Sequence, residues 1–306
     1  MSQRSDPVSQ ALTPQVRFLL VYGATAAFFA LGSMLVFWWI YDIIQSTAPA
    51  PTTSPIYANY DPAGDHLKPE SLAAMAAYTE ANPQPQNVQV LKGWSTAQIS
   101  AYMVAQVSGG LKVDCSYCHN VANFAEEGNV KKTNARAMML MAADLNRSYI
   151  AQLPASVGNY QVTCATCHNG KPVFETYPIA IQNTLPNDFK LPLDRNYPGG
   201  LVVTGRDDVG LEDVELNQYT MYHYNVSLGQ GCTFCHNARY FPSYEIAQKK
   251  HATIMMQMAQ HINNTYSRAI MAGKTPSCWM CHQGAQIPPG AATDGQVPPM
   301  LSKNGK

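Results

Sequence analysis

The chain has 306 residues, and its twenty basic and twenty acidic residues cancel to a formal net charge of zero. Charged residues make up 13% of the chain, against about 25% in ordinary soluble domains, which indicates that the protein buries surface in a membrane or against partner proteins. The balanced charge gives no sign of nucleic-acid binding, and we expect no nucleic-acid partner. With 21 prolines and 20 glycines, the composition predicts many loops between short helices.

The first predicted element is an apolar helix that crosses a membrane. Residues 18–41 run for 24 positions without a charge. Roughly 20 apolar residues are enough to span a bilayer, whereas the core of a signal peptide is about 7–15 residues long. Pro51 directly follows the small-residue sequence Ala48-Pro49-Ala50, which disfavours cleavage there. We therefore predict an uncleaved, single-pass anchor.

Basic residues predict the orientation of this anchor. Arg4 and Arg17 precede the apolar segment, and the first lysine after it is Lys68. Because an excess of basic residues marks the cytoplasmic side, we expect residues 1–17 in the cytoplasm, the anchor in the inner membrane and the rest of the chain in the periplasm. Residues 42–65 are predicted to be a linker with a Pro-, Thr- and Ser-rich extended part at 46–56.

All eight cysteines lie in four Cys-x-x-Cys-His runs. This is the attachment signature of c-type haem, in which two thiols bind one porphyrin and the adjacent His binds the iron as proximal ligand. A shared zinc site does not require a His after every second Cys, and a thioredoxin-like pair would need a βαβ context. A disulfide framework would not reproduce one spacing four times. The sequence therefore predicts four covalently attached haem c groups. The runs, numbered 1 to 4 in chain order, are Cys115, Cys118 and His119; Cys164, Cys167 and His168; Cys232, Cys235 and His236; and Cys278, Cys281 and His282.

The four runs indicate an internal duplication. Run 1 matches run 3 (CSYCHN and CTFCHN), and run 2 matches run 4 (CATCHNG and CWMCHQG). The proximal histidines are 49 residues apart in the first pair and 46 residues apart in the second pair. We therefore predict a mainly α fold with much loop, a multihaem cytochrome c of two pseudo-symmetric dihaem halves, plus the N-terminal transmembrane helix.

The predicted boundaries follow from this repeat. The tetrahaem domain covers 66–284, with halves at about 66–170 and 216–284 and a connection at 171–215. Residues 285–306 are polar and rich in Gly and Pro, and we expect them to form a flexible tail.

A methionine precedes each run on a segment with helical character, where its thioether could reach the distal face of a haem. Met103 and Met221 have few competitors, whereas the other two positions each have several candidates. Aligning the two halves places Met255 on Met138. The expected distal ligands are Met103, Met138 (with Met139 and Met141 as rivals), Met221 and Met255 (with Met256, Met258 and His261 as rivals).

With these motifs in place, the chain resembles the tetrahaem cytochrome subunit of bacterial photosynthetic reaction centres over about residues 66–284. The resemblance lies in the CSYCHN–ANF stretch after a Met-bearing helix, the NVKKTNARAMMLMAADLN helix and the SLGQGCTFCHNARYF stretch. It implies methionine ligands at Met103, Met138 and Met221. Where purple-bacterial members supply a histidine to the fourth haem, this chain has Gln152, so the repeat points to Met255 instead.

The resemblance also implies a role as an electron carrier without bond chemistry of its own. Electrons would pass from a soluble periplasmic donor, a blue-copper protein or a small cytochrome c, to the photo-oxidised bacteriochlorophyll pair. The reaction-centre L and M subunits, light-harvesting polypeptides and the lipid bilayer would be its partners. Many relatives are anchored by a lipidated cysteine, whereas the transmembrane helix resembles variants from filamentous anoxygenic phototrophs. The alternative is a membrane-anchored tetrahaem quinol dehydrogenase that feeds a periplasmic reductase, which would be shorter and use mostly histidine as distal ligand.

Overall fold

The computed structural model describes residues 14–47, 65–176, 191–193 and 211–305. Most of the predicted linker and of the predicted connection between the halves lies outside these described residues. The chain divides into two units, Met1–Thr52 and Thr53–Lys306.

The first unit contains one long helix, α1 (Pro14–Thr47). Its stretch Phe18–Ile40 is long and apolar enough to cross a membrane, and none of it is buried against other parts of the protein. The hydroxyl groups of Thr25 and Ser33 donate to the carbonyls of Val21 and Phe29, at 2.8 and 2.7 Å. Because these polar groups are satisfied within the helix itself, the stretch Phe18–Ile40 suits an apolar solvent. The helix fits the predicted membrane anchor.

The second unit is built from short helices, and the mainly helical fold predicted from the sequence is confirmed. Its helices in the described residues are α2 (Pro69–Ala81), α3 (Thr96–Tyr102), α4 (Gly109–Leu111), α5 (Val130–Ser148), α6 (Ala155–Gly158), α7 (Cys164–His168), α8 (Leu211–Leu228), α9 (Ala247–His261), α10 (Ser267–Ile270) and α11 (Cys278–His282). Two π-helical segments, Met103–Ser108 and Ile262–Tyr266, follow α3 and α9 without a break. Five 3₁₀ turns complete the described helical structure: Cys115–Tyr117, Ile150–Gln152, Cys232–Phe234, Asp294–Gln296 and Pro299–Leu301.

Side-chain caps fix where several of these helices begin. The Ser95 hydroxyl accepts the backbone N–H of Gln98, and the Gln98 side chain accepts the backbone N–H of Ser95, which is a capping box at the start of α3. The Asn129 side chain accepts the N–H of Lys131 at the start of α5. These local signals mark the start of α3, which leads into the π-helical segment with Met103, and the start of α5, which carries Met138.

Strand structure in the described residues is limited to one antiparallel pair. β1 (Tyr160–Gln161) pairs with β2 (Ala292–Thr293), with Tyr160 opposite Thr293 and Gln161 opposite Ala292. The pair joins the segment before run 2 to the C-terminal segment of the chain.

The C-terminal segment corrects one expectation. Residues 285–306 were expected to form a flexible tail, but the described residues 285–305 pack against the domain. Val297 and Leu301 are only 7% and 3% exposed and belong to the core cluster with Met139. The hydroxyl groups of Thr163 and Thr166 in the second-run segment both donate to the carbonyl of Gly290, at 2.9 and 3.1 Å.

Gly290 explains how close this packing is. A Cβ at this position would lie 2.3 Å from the backbone of Ala165 in α7, so any side chain would push the segment away from run 2. The Gly and Pro content that predicted flexibility instead permits a close backbone approach.

Candidate functional site

The four runs adopt two local conformations, in the same pairs that the sequence predicted. Runs 1 and 3 form the 3₁₀ turns Cys115–Tyr117 and Cys232–Phe234, each followed by an antiparallel bridge, Asn120↔Asn123 and Asn237↔Tyr240. Runs 2 and 4 form the short helices α7 and α11. Each of these ends in a left-handed residue, Asn169 at φ 46° and Gln283 at φ 44°, which turns the chain away after the histidine.

Every proximal histidine places its Nδ1 against a backbone carbonyl a few residues later. The Nδ1···O distances are 3.3 Å for His119 with Phe124, 2.9 Å for His168 with Lys171, 2.9 Å for His236 with Phe241, and 3.0 Å for His282 with Ala285. A histidine that donates Nδ1–H to a carbonyl carries its lone pair on Nε2, the nitrogen it offers to a metal. Burial lowers the pKa of His119, His168 and His282 and keeps the rings neutral, as ligation requires.

Two lysines support the carbonyls in runs 1 and 3, and the sequence analysis did not identify them. The Lys132 ammonium donates to the Phe124 carbonyl at 3.0 Å, and the Lys249 ammonium donates to the Phe241 carbonyl at 2.7 Å. Each of these carbonyls is also the partner of a proximal histidine. The signal was present in the sequence, because Lys132 and Lys249 each follow their proximal histidine by 13 residues.

The first cleft lies beside run 1 and has a volume of about 1220 Å³. Met103, the expected distal ligand of run 1, lines it together with the residues of that run. Arg136 and Lys132 add positive charge to its wall; Arg136 Nη1 is 2.9 Å from Glu127 Oε2.

The second cleft lies beside run 2 and has a volume of about 1510 Å³. Met138, Met139 and Met141 all line it with Cys164, Cys167 and His168. The structure therefore brings the predicted ligand to the run, but it brings the two rivals as well. Burial raises the pKa of Tyr102, another lining residue, well above its ordinary value.

A further cleft lies beside run 4 and has a volume of about 1390 Å³. Each cleft takes the number of its run, so the three are clefts 1, 2 and 4. Met255, Met256 and Met258 line cleft 4 with Cys278, Cys281 and His282. His261 is not among the lining residues, since its Nε2 lies 2.6 Å from Asp144 Oδ2 on α5. Gln152 donates to the Ser148 carbonyl one turn earlier.

Run 3 is the most exposed of the four, with Cys232 largely open to solvent. Met221 lies in α8, seven residues before the helix ends at Leu228, and it lines none of the three clefts. The buried His223 on the same helix accepts the N–H of Cys278 at 3.0 Å. Because Met221 and His223 are two residues apart, they lie about 200° apart around the helix, so Met221 points away from run 4. Burial lowers the pKa of His223 to about 4.

The runs lie next to one another in a definite order. Cys118 of run 1 lines both cleft 1 and cleft 2. The sulfur atoms of Cys167 in run 2 and Cys281 in run 4 are 3.5 Å apart. Cys235 of run 3 lines cleft 4. The order in space is therefore run 1, run 2, run 4, run 3.

These residues fit haem c better than zinc. Within the described part of the chain, no three His, Cys, Asp or Glu side chains are grouped as a metal site, so the runs do not combine as zinc knuckles. Each cleft instead offers two thiols, one neutral imidazole with a defined tautomer and a mainly apolar wall. A chain with this arrangement is a c-type cytochrome with covalently bound haem.

Comparison with known proteins identifies the kind of cytochrome. Residues 52–202 and 211–302 match the family described as photosynthetic reaction centre cytochrome C subunit. The chain belongs to this family, and it is an electron-transfer subunit of the photosynthetic reaction centre.

Individual relatives agree with this assignment. Cytochrome c-554 of Chloroflexus aurantiacus is 27% identical over 387 aligned positions, which cover 92% of this chain and 93% of the relative. The photosynthetic reaction center cytochrome c subunits of Rubrivivax gelatinosus and Thermochromatium tepidum are 28% and 30% identical. The Rubrivivax alignment covers 68% of both chains, and the Thermochromatium alignment covers 72% of this chain and 64% of the relative.

Proposed function

We propose that the chain binds four haem c groups and passes electrons along them in the order run 1, run 2, run 4, run 3. The contact between Cys167 and Cys281 at 3.5 Å carries this proposal, because it joins the first half of the chain to the second through the porphyrin-binding sulfur atoms. The shared lining residues Cys118 and Cys235 support the two outer steps. Bound haem supplies the one-electron redox change, and the protein sets its potential and position.

The proposed axial ligands are a histidine and a methionine at each iron. The Nδ1 contacts of His119, His168, His236 and His282 orient the four proximal rings, and the proposed distal ligands are Met103, Met138, Met221 and Met255. A methionine ligand raises the reduction potential, which suits acceptance of electrons from a moderately oxidising carrier. The clefts support Met103, Met138 and Met255 because each lines the cleft of its own run.

The wider setting is part of the same proposal. The anchor places the N-terminus in the cytoplasm and the haem domain in the periplasm. There the domain takes electrons from a blue-copper protein or a small cytochrome c and delivers them to the bacteriochlorophyll pair on the L and M subunits. The two halves are related by a pseudo-twofold axis, which is supported by the matching conformations of runs 1 and 3 and of runs 2 and 4.

Flash-induced absorbance changes on the detergent-purified complex test the function. A tagged chain should co-purify with bacteriochlorophyll, contain four haems per polypeptide, and show haem oxidation after a flash. A preparation that lacks bacteriochlorophyll and is reduced by a quinol would instead indicate the quinol dehydrogenase.

The order can be tested by removing one haem at a time. Replacing Cys164 and Cys167 with Ala removes the haem of run 2, which should separate the haem of run 1 from those of runs 4 and 3 in the flash experiment. The matched control replaces Cys115 and Cys118, because run 1 lies at the end of the row and its loss leaves the other three haems in contact. Met138→His is a milder variant that keeps the haem and lowers its potential. If removal of the run-2 haem leaves the three others kinetically connected, the order is wrong.

A further inference from the structure

Helix α9 presents two different donors to cleft 4. His251 and Met255 are four residues apart, so they lie on the same face of the helix one turn from each other. Both line the cleft together with the residues of run 4. His251 is half-buried, and within the described residues its ring makes no hydrogen bond or ion pair. An imidazole without a partner therefore stands beside the predicted methionine ligand.

The equivalent cleft beside run 2 lacks this second donor. The repeat aligns His251 with Asn134 and Met255 with Met138, and both Asn134 and Met138 line cleft 2. The neighbouring methionines correspond as well, since Met139 and Met141 line cleft 2 as Met256 and Met258 line cleft 4. The two distal walls thus have the same methionines and differ in one strong iron ligand, because imidazole is a common axial ligand of haem whereas an amide is not.

Other candidates for a distal imidazole or amide are occupied elsewhere. His261 contacts Asp144 through Nε2 at 2.6 Å and Thr265 through Nδ1 at 3.3 Å. Gln152 donates to the Ser148 carbonyl. His282 holds the proximal position in run 4. Among the described residues that line cleft 4, His251 is therefore the histidine available on the distal side.

We infer that the haem of run 4 has two alternative distal ligands, Met255 and His251, and that the haem of run 2 has one. The inference rests on the proposed function, in which run 4 binds a haem whose distal face is covered by α9. The soft thioether of Met255 favours ferrous iron, and the imidazole of His251 favours ferric iron. With haem bound at run 4, Met255 would hold the ferrous iron through its thioether sulfur, and His251 would replace it on the ferric iron through an imidazole nitrogen when the haem gives one electron to its neighbour; reduction would restore the bond to Met255.

Paired variants of the full-length, haem-loaded chain test the inference. Met138→Ala should open the iron of run 2, so that added imidazole binds and changes its spectrum. Met255→Ala should not open the iron of run 4, because His251 takes the vacant position. That haem should become low-spin with the electron paramagnetic resonance signature of two histidines, and its potential should fall while the other three stay unchanged.

Two further variants isolate His251. Met255→Ala combined with His251→Asn, which copies the residue of the first half, should bind added imidazole as Met138→Ala does. Asn134→His added to Met138→Ala should close the iron of run 2. In the otherwise unaltered protein, His251→Asn should abolish the difference between oxidative and reductive voltammetric scans of one haem.

The results distinguish failure of the inference from failure of the proposed function. The inference is overturned if Met255→Ala binds imidazole as readily as Met138→Ala does, or if it keeps the methionine-to-ferric-iron charge-transfer band because Met256 or Met258 has replaced Met255. If neither single alanine variant changes any haem, the distal ligands assigned under the proposed function are wrong, and the inference fails with them. Scans of the unaltered protein that show no ligand exchange overturn the redox-linked part.

Discussion

Replacing Asn146 with alanine should strongly lower the free energy of unfolding of the haem domain. Its side chain is fully buried and makes three hydrogen bonds: its amide donates to the carbonyls of Val162 and Leu301, both at 3.0 Å, and its oxygen accepts the N–H of Val162 at 2.7 Å. These bonds tie α5, which carries Met138, to the segment before run 2 and to the C-terminal segment.

Asn146→Ala leaves two carbonyls and one N–H buried without their partner. Each such group costs about 1–3 kcal/mol, so we expect the free energy of unfolding to fall by at least about 3 kcal/mol, a large part of the 5–15 kcal/mol typical of a whole domain. Asn263→Ala is the matched control, because Asn263 holds the equivalent place in the second half and its amide is 3.3 Å from the exposed Asn264. There we expect a loss of less than about 0.5 kcal/mol.

The assay is chemical denaturation of the haem-loaded chain in detergent, followed by far-ultraviolet circular dichroism. Proteolysis under native conditions provides a second readout, since the C-terminal segment should be cleaved faster in Asn146→Ala. Equal stability of the two alanine variants would refute the reasoning. A destabilised Asn146→Ala protein whose C-terminal segment stays protected from proteolysis would also refute it, because the hydrogen bond to Leu301 would then not hold that segment in place.

Three other changes should have distinct effects. Lys132→Met should lower the reduction potential of the haem of run 1, and Lys249→Met that of the haem of run 3, because each removes a positive charge beside the carbonyl that orients the proximal histidine. Unchanged potentials in a redox titration would contradict this. In folded Asp144, burial alone would raise the pKa, but hydrogen bonds from His261, Tyr266 and Ser148 lower it. Its contribution to stability is therefore present above the unfolded pKa of about 3.9 and is lost at lower pH, so the stability difference between the unaltered chain and Asp144→Asn should shrink on acidification. Protease added to the periplasmic face of spheroplasts should cut within 46–56 and release the haem domain, and protection of that segment would reverse the proposed topology.

The runs and their pairing could be predicted from the sequence because the necessary information is local. A Cys-x-x-Cys-His run places two porphyrin attachments and one iron ligand within five residues, and matching flanks give matching turns. The carbonyl partners of the four histidines are local too, three to five residues away in the chain. The lysine supports could have been recognised from their repeated spacing.

The choice of distal ligand was harder because it depends on contacts between distant parts of the chain. Sequence spacing could not separate Met138 from Met139 and Met141, and the structure brings all three to one cleft. His261 was a rival for Met255 only until its partner was known. That partner, Asp144, lies 117 residues away and removes His261 from the cleft.

The C-terminal segment was wrongly expected to be flexible for a related reason. Composition is an average over a stretch, whereas burial is decided residue by residue by what the fold places opposite. Val297 and Leu301 are two apolar residues among polar neighbours, yet both belong to a core cluster, and the Asn146 side chain donates a hydrogen bond to the Leu301 carbonyl.

The contact between Asp144 and His261 has a further consequence for the proposed duplication. The repeat aligns these two residues with each other, as it aligns Cys167 with Cys281, and both pairs are in direct contact. A residue can meet its own equivalent only near the axis that relates two halves, so both contacts mark where the proposed pseudo-twofold axis passes. Two identical carboxylates at such a place would repel each other. With Asp144 in one half and His261 in the other, the two equivalent residues form a hydrogen-bonded contact instead.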